Sequence, residues 1–258
     1  MTSQGLLVRV GLAAVALATL VGCGARSSAA TVGGTRSAAP APGSITATRS
    51  GTSRSAAGVA IDRRIVRFAQ LRQSDFPSGW TSGPAPAATT GARCPAVRGA
   101  KAAVSARARS REFTHGSTAT ADGAIYVYAD TATAADWFVR LSSRATTACL
   151  VRALRPSLES QIRAQGGTID SITAPAMTIR PVGNQHAAHL VIVRVTAGTV
   201  RATAYADLIF VRVGRALAAF SLGRVNLIFD TGLEAGLASA VTGRLAAGLR
   251  LASVSGVG

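Results

Sequence analysis

The strongest constraint on what this chain can fold into lies in its C-terminal third. Three apolar runs, residues 189–196, 200–213 and 216–222, are separated only by Ala197-Gly198-Thr199 and by Gly214-Arg215. Both separators are tight-turn signals, so the three runs read as an antiparallel meander. An earlier run over 169–179 adds a further strand, interrupted at Pro175, which cannot donate to a ladder. After the meander, Thr231 and Glu234 have the spacing of a capping box, ahead of Leu233, Leu237, Val241, Leu245 and Leu249. That four-residue repeat puts one apolar stripe on a helix, which should lie on the sheet.

Upstream, 104–113 and 123–128 read as two strands of a hairpin turning at Asp122-Gly123. A long helix is expected from about 130–133, with Thr133 and Asp136 as its cap and Ala134, Phe138, Leu141, Ala145 and Cys149 on its inner stripe. It should break at Pro156, resume as a short turn to Arg163, and stop at Gly166-Gly167. A first helix is expected where Ile61, Ile65, Phe68 and Leu71 repeat at helical spacing. Residues 71–80 then read as a turn, with Pro77 fixing φ, Gly79 free to take positive φ, and Asp75 supporting it by a side-chain hydrogen bond. Phe76 and Trp80 are expected as core anchors more than as binding groups. This element order argues for an α+β fold, a mostly antiparallel sheet covered by helices on one face.

At the other end, Arg9 precedes an apolar run over 10–21 that is too short to span a bilayer and ends at Leu20-Val21-Gly22-Cys23. The tetrad resembles the bacterial lipobox. That resemblance implies a lipoprotein signal peptide over 1–22 and lipid (palmitate-type acyl chains) on Cys23, which would hold the protein at a membrane on its extracytoplasmic side. Residues 23–58 are Ala, Ser, Thr, Gly and Pro without apolar periodicity, and read as a disordered tether; 59–256 read as a single domain. Within it, Asp75-Phe76-Pro77-Ser78-Gly79-Trp80 resembles the opening of actinobacterial exported lipoprotein and sensor-type domains, and the element order is similar to that of the PsbP and Mog1-like group. These resemblances cover the first 23 residues and about ten of the domain, and they transfer no functional residue.

Export changes the reading of cysteines and charge. Cys94 and Cys149 remain as an even pair, which in an oxidising compartment reads as one disulfide. Among 28 basic residues only Lys101 is lysine, and the net charge of +17 would suggest nucleic acid in a cytoplasmic protein. Outside the cell, anionic lipid headgroups or wall polymers are the expected partners, and nucleic acid is not. Arg107, Arg109 and Arg111 share one parity on a predicted strand, opposite Ala106, Ala108 and Ser110; they read either as an anion-binding face or as an ordinary charged sheet edge.

Catalytic chemistry is sparse. The chain has no GxSxG, SxxK, HExxH, GxGxxG or GxxxxGK[ST] motif. Its three histidines are His115, His186 and His189, the last two three apart on a predicted strand and so on opposite faces; neither a metal site nor a cofactor is expected. Asp207 lies mid-strand, where it would pair with an arginine of a neighbouring strand or project into a pocket. The small residues Ala202, Ala204, Ala206, Ala216, Ala218, Gly236, Gly243 and Gly248 would either leave a gap for an apolar ligand between sheet and helices or permit close packing. The expected function is a membrane-anchored, non-enzymatic binding or sensor-type envelope domain. The alternatives are a scaffold or adhesion module for anionic envelope polymers and an enzyme with an unrecognised site.

Overall fold

A computed structural model describes residues 55–85, 94 and 104–254. Helix α1 (Ala56–Ala69) leads through a 3-10 turn (Gln73–Asp75) into β1 (Trp80–Gly83), β2 (Val104–Arg109), β3 (Glu112–His115) and β4 (Ala119–Tyr128). Helices α2 (Thr131–Leu141) and α3 (Arg144–Ala164) follow, then β5 (Gly167–Thr173), β6 (Ala176–Met177), β7 (Gln185–Ala197), β8 (Val200–Val213), β9 (Ala216–Val225) and α4 (Thr231–Val254). The expectations for Cys23, the signal segment and most of the tether fall outside the described residues.

All nine strands form one antiparallel sheet in the order β1-β3-β4-β9-β8-β7-β5, with β2 also beside β4 and β6 beside β7. The meander is as expected: Gly198 and Gly214 turn the chain at φ of +60° and +54°, and β7 and β8 pair from Ala197↔Val200 out to Gln185↔Arg212. β5 and β6 are one strand interrupted at Ala174-Pro175, both paired to β7. The upstream hairpin turns elsewhere than expected. Its reversal is at Gly116 (φ +56°), while Asp122 and Gly123 lie inside β4. Glycine is needed at 123 for space, because a Cβ would stand 3.1 Å from the Phe220 ring and 3.2 Å from the Ala219 carbonyl oxygen.

The class is α+β, but the helices cover both faces of the sheet. Even-numbered Ala124, Tyr126 and Tyr128 of β4 join Ala202 to Phe210 of β8 in a core under α2 and α3. Odd-numbered Ile125 and Val127 join Ile209, Val211, Ala218 and Phe220 in a second core under α1 and α4. Central strands that are apolar on both parities leave neither face fit for water, so a second helical layer is required.

The long helix expected after β4 is two helices. Asp130, not Thr133, caps α2 by accepting from the Thr133 N–H at 2.7 Å, and Ser143 restarts the helix by accepting from the Thr146 N–H at 3.1 Å. α3 then runs through Pro156, which is exposed, while Leu150, Leu154, Leu158 and Ile162 stay buried. The missing N–H and the ring clash fall on the solvent side, where a carbonyl that loses its helix bond is open to solvent. Gly166, at φ +76°, ends the unit as expected.

α1 begins at its Ser55 cap, slightly inside the expected tether, and its inner stripe is rotated from the expected one. Asp62, Ile65, Val66 and Ala69 are buried, Leu71 is buried beyond the helix end, and Phe68 is 47% exposed. The cause is Asp62, held inward by both guanidinium nitrogens of Arg215 and by the Ser105 hydroxyl. α4 lies on the sheet through Leu237, Val241 and Leu245, with Leu233 and Leu249 flanking. Its cap is Asp230, which accepts from the Leu233 N–H at 2.6 Å, so Thr231 is the first helical residue and not the cap.

Candidate functional site

A row of residues in register crosses one end of the sheet on the α1/α4 face. Trp80 of β1 pairs with His115 of β3, His115 with Ala119 of β4, and Ala119 with Arg224 of β9. Paired residues point to the same face, so the small Ala119 leaves a gap between an imidazole and a guanidinium. The gap opens into a cavity of about 350 Å³, roofed by Pro77 and Ser78 of the turn and by Phe229, Asp230 and Leu233 at the start of α4.

The aromatic wall is built by the turn before β1. Trp80 packs 4.8 Å from Phe76, 5.7 Å from His115 and 6.0 Å from Phe229, ring centre to ring centre, and Phe76 stacks on Phe113 at 4.4 Å. Phe76 and Trp80 are buried as expected, and Trp80 also lines the cavity. Gly79 takes φ +88°, and a Cβ there would come within 3.0 Å of His115 Nε2, so glycine both turns the chain and admits the imidazole. Asp75 fixes this turn as expected, accepting from the Arg72 N–H at 2.8 Å, and it also binds both guanidinium nitrogens of Arg244 on α4. Burial pushes the Asp75 carboxyl up, but the Arg244 hydrogen bonds, the Arg72 N–H and the charges of Arg244 and Arg72 outweigh it and leave the pKa below its ordinary value.

Arg224 is half-buried and forms no ion pair among the described residues. Asp230, the carboxylate nearest in the lining, is engaged as the cap of α4. The cavity therefore offers a guanidinium and an imidazole beside a wall of Trp80, Phe229 and Leu233. Between two lining residues, the connection to α4 exposes Leu227 and Ile228, at 56% and 57%, and is pinned by Asn226, whose side chain accepts from the Thr203 N–H at 2.9 Å.

A second feature is a pair of buried carboxyls on the same face. Asp207 of β8 is 1% exposed and has Leu190 and Leu222 as its strand neighbours; neither carboxyl oxygen has a hydrogen-bond partner. The expected cross-strand arginine is not there. Burial pushes Asp207 up to about 6, and Glu234 of α4 is pushed up to about 7 by burial and by the negative charge of Asp207. Glu234 also borders a separate cavity of about 390 Å³ between α4 and residues 179–182.

The remaining candidates are dispersed. Arg107 and Arg109 share the α2/α3 face, but Arg109 pairs with Ala124 and Phe113 with Ala121, which inserts one extra residue into this strand. The bulge sends Phe113, of the same parity as the three arginines, into the α1/α4 core beside Ala106, so Arg111 leaves the row. Arg111 instead donates to the Gly83 carbonyl at 3.1 Å, and Arg109 lies 3.8 Å from Asp122. A continuous three-arginine face is not formed.

His186 is exposed, and His189 is buried, donating from Nε2 to the Ser142 carbonyl at 2.7 Å. Among the described residues no group of three or more His, Cys, Asp or Glu is placed to hold a metal ion. Cys94 and Cys149 form the expected disulfide, with Cα atoms 5.8 Å apart. Of the small residues named as a gap, Ala202, Ala204, Ala206, Ala216 and Ala218 are buried in close packing, whereas Gly236 borders the cavity beside residues 179–182 and a Cβ at Gly236 or Gly243 would meet nothing within 4 Å. Sequence reading missed Arg224 and His115 as partners of Trp80. Their common signal is position, since His115 ends β3 and Arg224 is the last residue but one of β9.

No family model matches this chain, and no curated protein sequence matches it. Among solved structures, the extracellular domain of PknH from Mycobacterium tuberculosis is similar to it with a TM-score of 0.37 and 7% identity, over 73% of this chain and 96% of that one. No helix among the described residues is long and apolar enough to cross a membrane.

Proposed function

We propose that this protein is an extracytoplasmic binding or sensor-type domain, anchored to the membrane through lipid on Cys23 and non-enzymatic, whose ligand site is the row Trp80, His115, Ala119 and Arg224. The observation that carries the ligand reading is the half-buried Arg224 without an ion-pair partner beside an aromatic wall. Such a site takes a small anion that also carries a flat or apolar moiety: the guanidinium binds the charge and Trp80 and Phe229 the face. The disulfide and the leader support the oxidising side of a membrane. Non-enzymatic binding is favoured because the cavity's one carboxylate, Asp230, caps a helix and is not engaged in orienting His115.

The test is purification of the wild-type protein and the Arg224→Gln variant from the native source, followed by mass spectrometry of what co-purifies. An anionic compound enriched on the wild type and reduced about tenfold or more on the variant is expected, as for loss of one charge-assisted bond. Identical compounds at equal levels on both would refute the site. The anchor is tested separately with radiolabelled palmitate, whose incorporation should vanish in Cys23→Ser.

A further inference from the structure

The side of the molecule formed by α1 and α4 carries a third cavity, apolar and of about 360 Å³, bordered by Ile61, Arg64, Ile65, Phe68, Gly248 and Leu251. Two of these rim residues are exposed large apolar groups, Phe68 at 47% and Leu251 at 71%, and Val254, three residues further along α4, is 87% exposed. Arg72 is held beside this rim, donating to the Phe68 carbonyl at 2.6 Å with its guanidinium 4.9 Å from the Phe68 ring centre. Arg63, Arg64, Arg67 and Arg250 are exposed on the same two helices.

Negative charge is missing here for two separate reasons. In the sequence, the only charged side chains before Asp62 and after Glu234 are arginines. In the structure, Asp62 is consumed by Arg215 and Asp75 by Arg244, while Asp230 and Glu234 lie at the start of α4, at the opposite end of that helix from Leu251 and Val254. The result is a surface of exposed phenylalanine, leucine and valine ringed by uncompensated arginine. That combination suits neither bulk water nor an apolar protein partner. It suits a bilayer interface, where arginines meet phosphates while large apolar groups enter the acyl boundary.

We infer that the α1/α4 face docks on an anionic lipid surface. This contact is distinct from the anchor at Cys23, and it would hold the domain in one orientation on the membrane. Docking with α1 and α4 downward turns α2 and α3 away from the bilayer.

The test uses the full chain carrying Cys23→Ser, which cannot be acylated at that position, so that failure of the anchor reading and failure of this one are separable. An environment-sensitive fluorophore is attached at Leu251→Cys in one sample and at Ser160→Cys on α3 in another. With vesicles containing phosphatidylglycerol, the label at 251 should shift to the blue and the label at 160 should not. Adding Arg64→Gln, Arg67→Gln and Arg72→Gln should raise the lipid concentration for half-maximal shift by about a hundredfold, at roughly fivefold per arginine near a charged surface. Added salt should weaken the shift in the same direction. The inference is overturned by no shift at 251, by equal shifts at 251 and 160, or by an equal shift on phosphatidylcholine alone. A shift without vesicles that grows with protein concentration would overturn it too, since the face would then bind a second copy.

Discussion

The two faces of the sheet are held by different kinds of bond. On the α2/α3 side the restraint is covalent, the Cys94–Cys149 disulfide, with His189 bonded to the Ser142 carbonyl where the two helices meet. On the α1/α4 side it is ionic: Asp62 with Arg215 and Asp75 with Arg244, separated by 153 and 169 residues. The three cavities described lie on that second side. A disulfide acts mainly by limiting the unfolded chain, whereas an ion pair fixes two elements at one point in the folded one. The face pinned at points keeps grooves between its pins, and those grooves are where ligand and lipid are proposed to bind.

The comparison breaks first if the disulfide is not the main staple. Replacing Cys94 and Cys149 by serine opens a loop spanning 55 residues and should cost about 4 kcal/mol by the chain-entropy model. That is roughly 8–16 °C in melting temperature for a domain of this size. Equal urea midpoints with and without a reductant would show that packing alone holds that face. The next largest effect is expected on the ionic side. Arg215→Ala leaves Asp62, which is fully buried, without its guanidinium and should cost about 3 kcal/mol, the low end for a broken buried pair because the Ser105 hydroxyl still donates to the carboxylate. Urea unfolding at pH 7 checks it, and a loss under about 1 kcal/mol would mean that the pair is solvated.

Sequence patterning carried the fold further than the site. The meander was legible because Gly198 and Gly214 interrupt continuous apolar runs at the two positions where φ must be positive. What escaped were features decided by pairing across distance. Asp122-Gly123 has the composition of a turn yet lies in mid-strand, because the sheet needs a residue without a side chain against Phe220. Phe68 fits an inner helical stripe by spacing, but the Asp62–Arg215 pair rotates α1 and leaves it outside. Period-2 reading of Arg107, Arg109 and Arg111 failed for a related reason: one inserted residue inverts parity, and only the partner strand's register reveals it. Trp80 was legible as an anchor, while its role in a cavity depends on His115, Ala119 and Arg224 falling in one cross-strand row.

The smallest predicted effect concerns the carboxyls that no arginine fully compensates. Asp207 and Glu234 sit at about 6 and about 7 in the folded protein, against ordinary values of 3.8 and 4.5. The folded state thus keeps protons that the unfolded chain has released. Their stabilising contribution is complete below about pH 4 and is lost as pH rises through 6 to 7. Asp75, held low, works in the opposite sense: its contribution is complete above its ordinary value of 3.8 and is lost as pH falls from there through its lower folded value. At pH 8, Asp207→Asn should therefore stabilise the protein by about 1–2 kcal/mol, below the full value of a two-unit shift because the amide remains unbonded. At pH 4 it should be neutral or slightly destabilising. Asp122, on the stapled face, is also raised to about 7, by burial first, opposed by Arg109 and reinforced by Glu112. Because that value already includes the Arg109 charge, Asp122→Asn should likewise stabilise the protein at pH 8, less what is lost by removing the charge facing Arg109 at 3.8 Å. Urea midpoints of the two variants at pH 5 and pH 8 separate a carboxyl that costs stability when ionised from one that a cation partly offsets, and equal gains would show that the two faces treat buried charge alike.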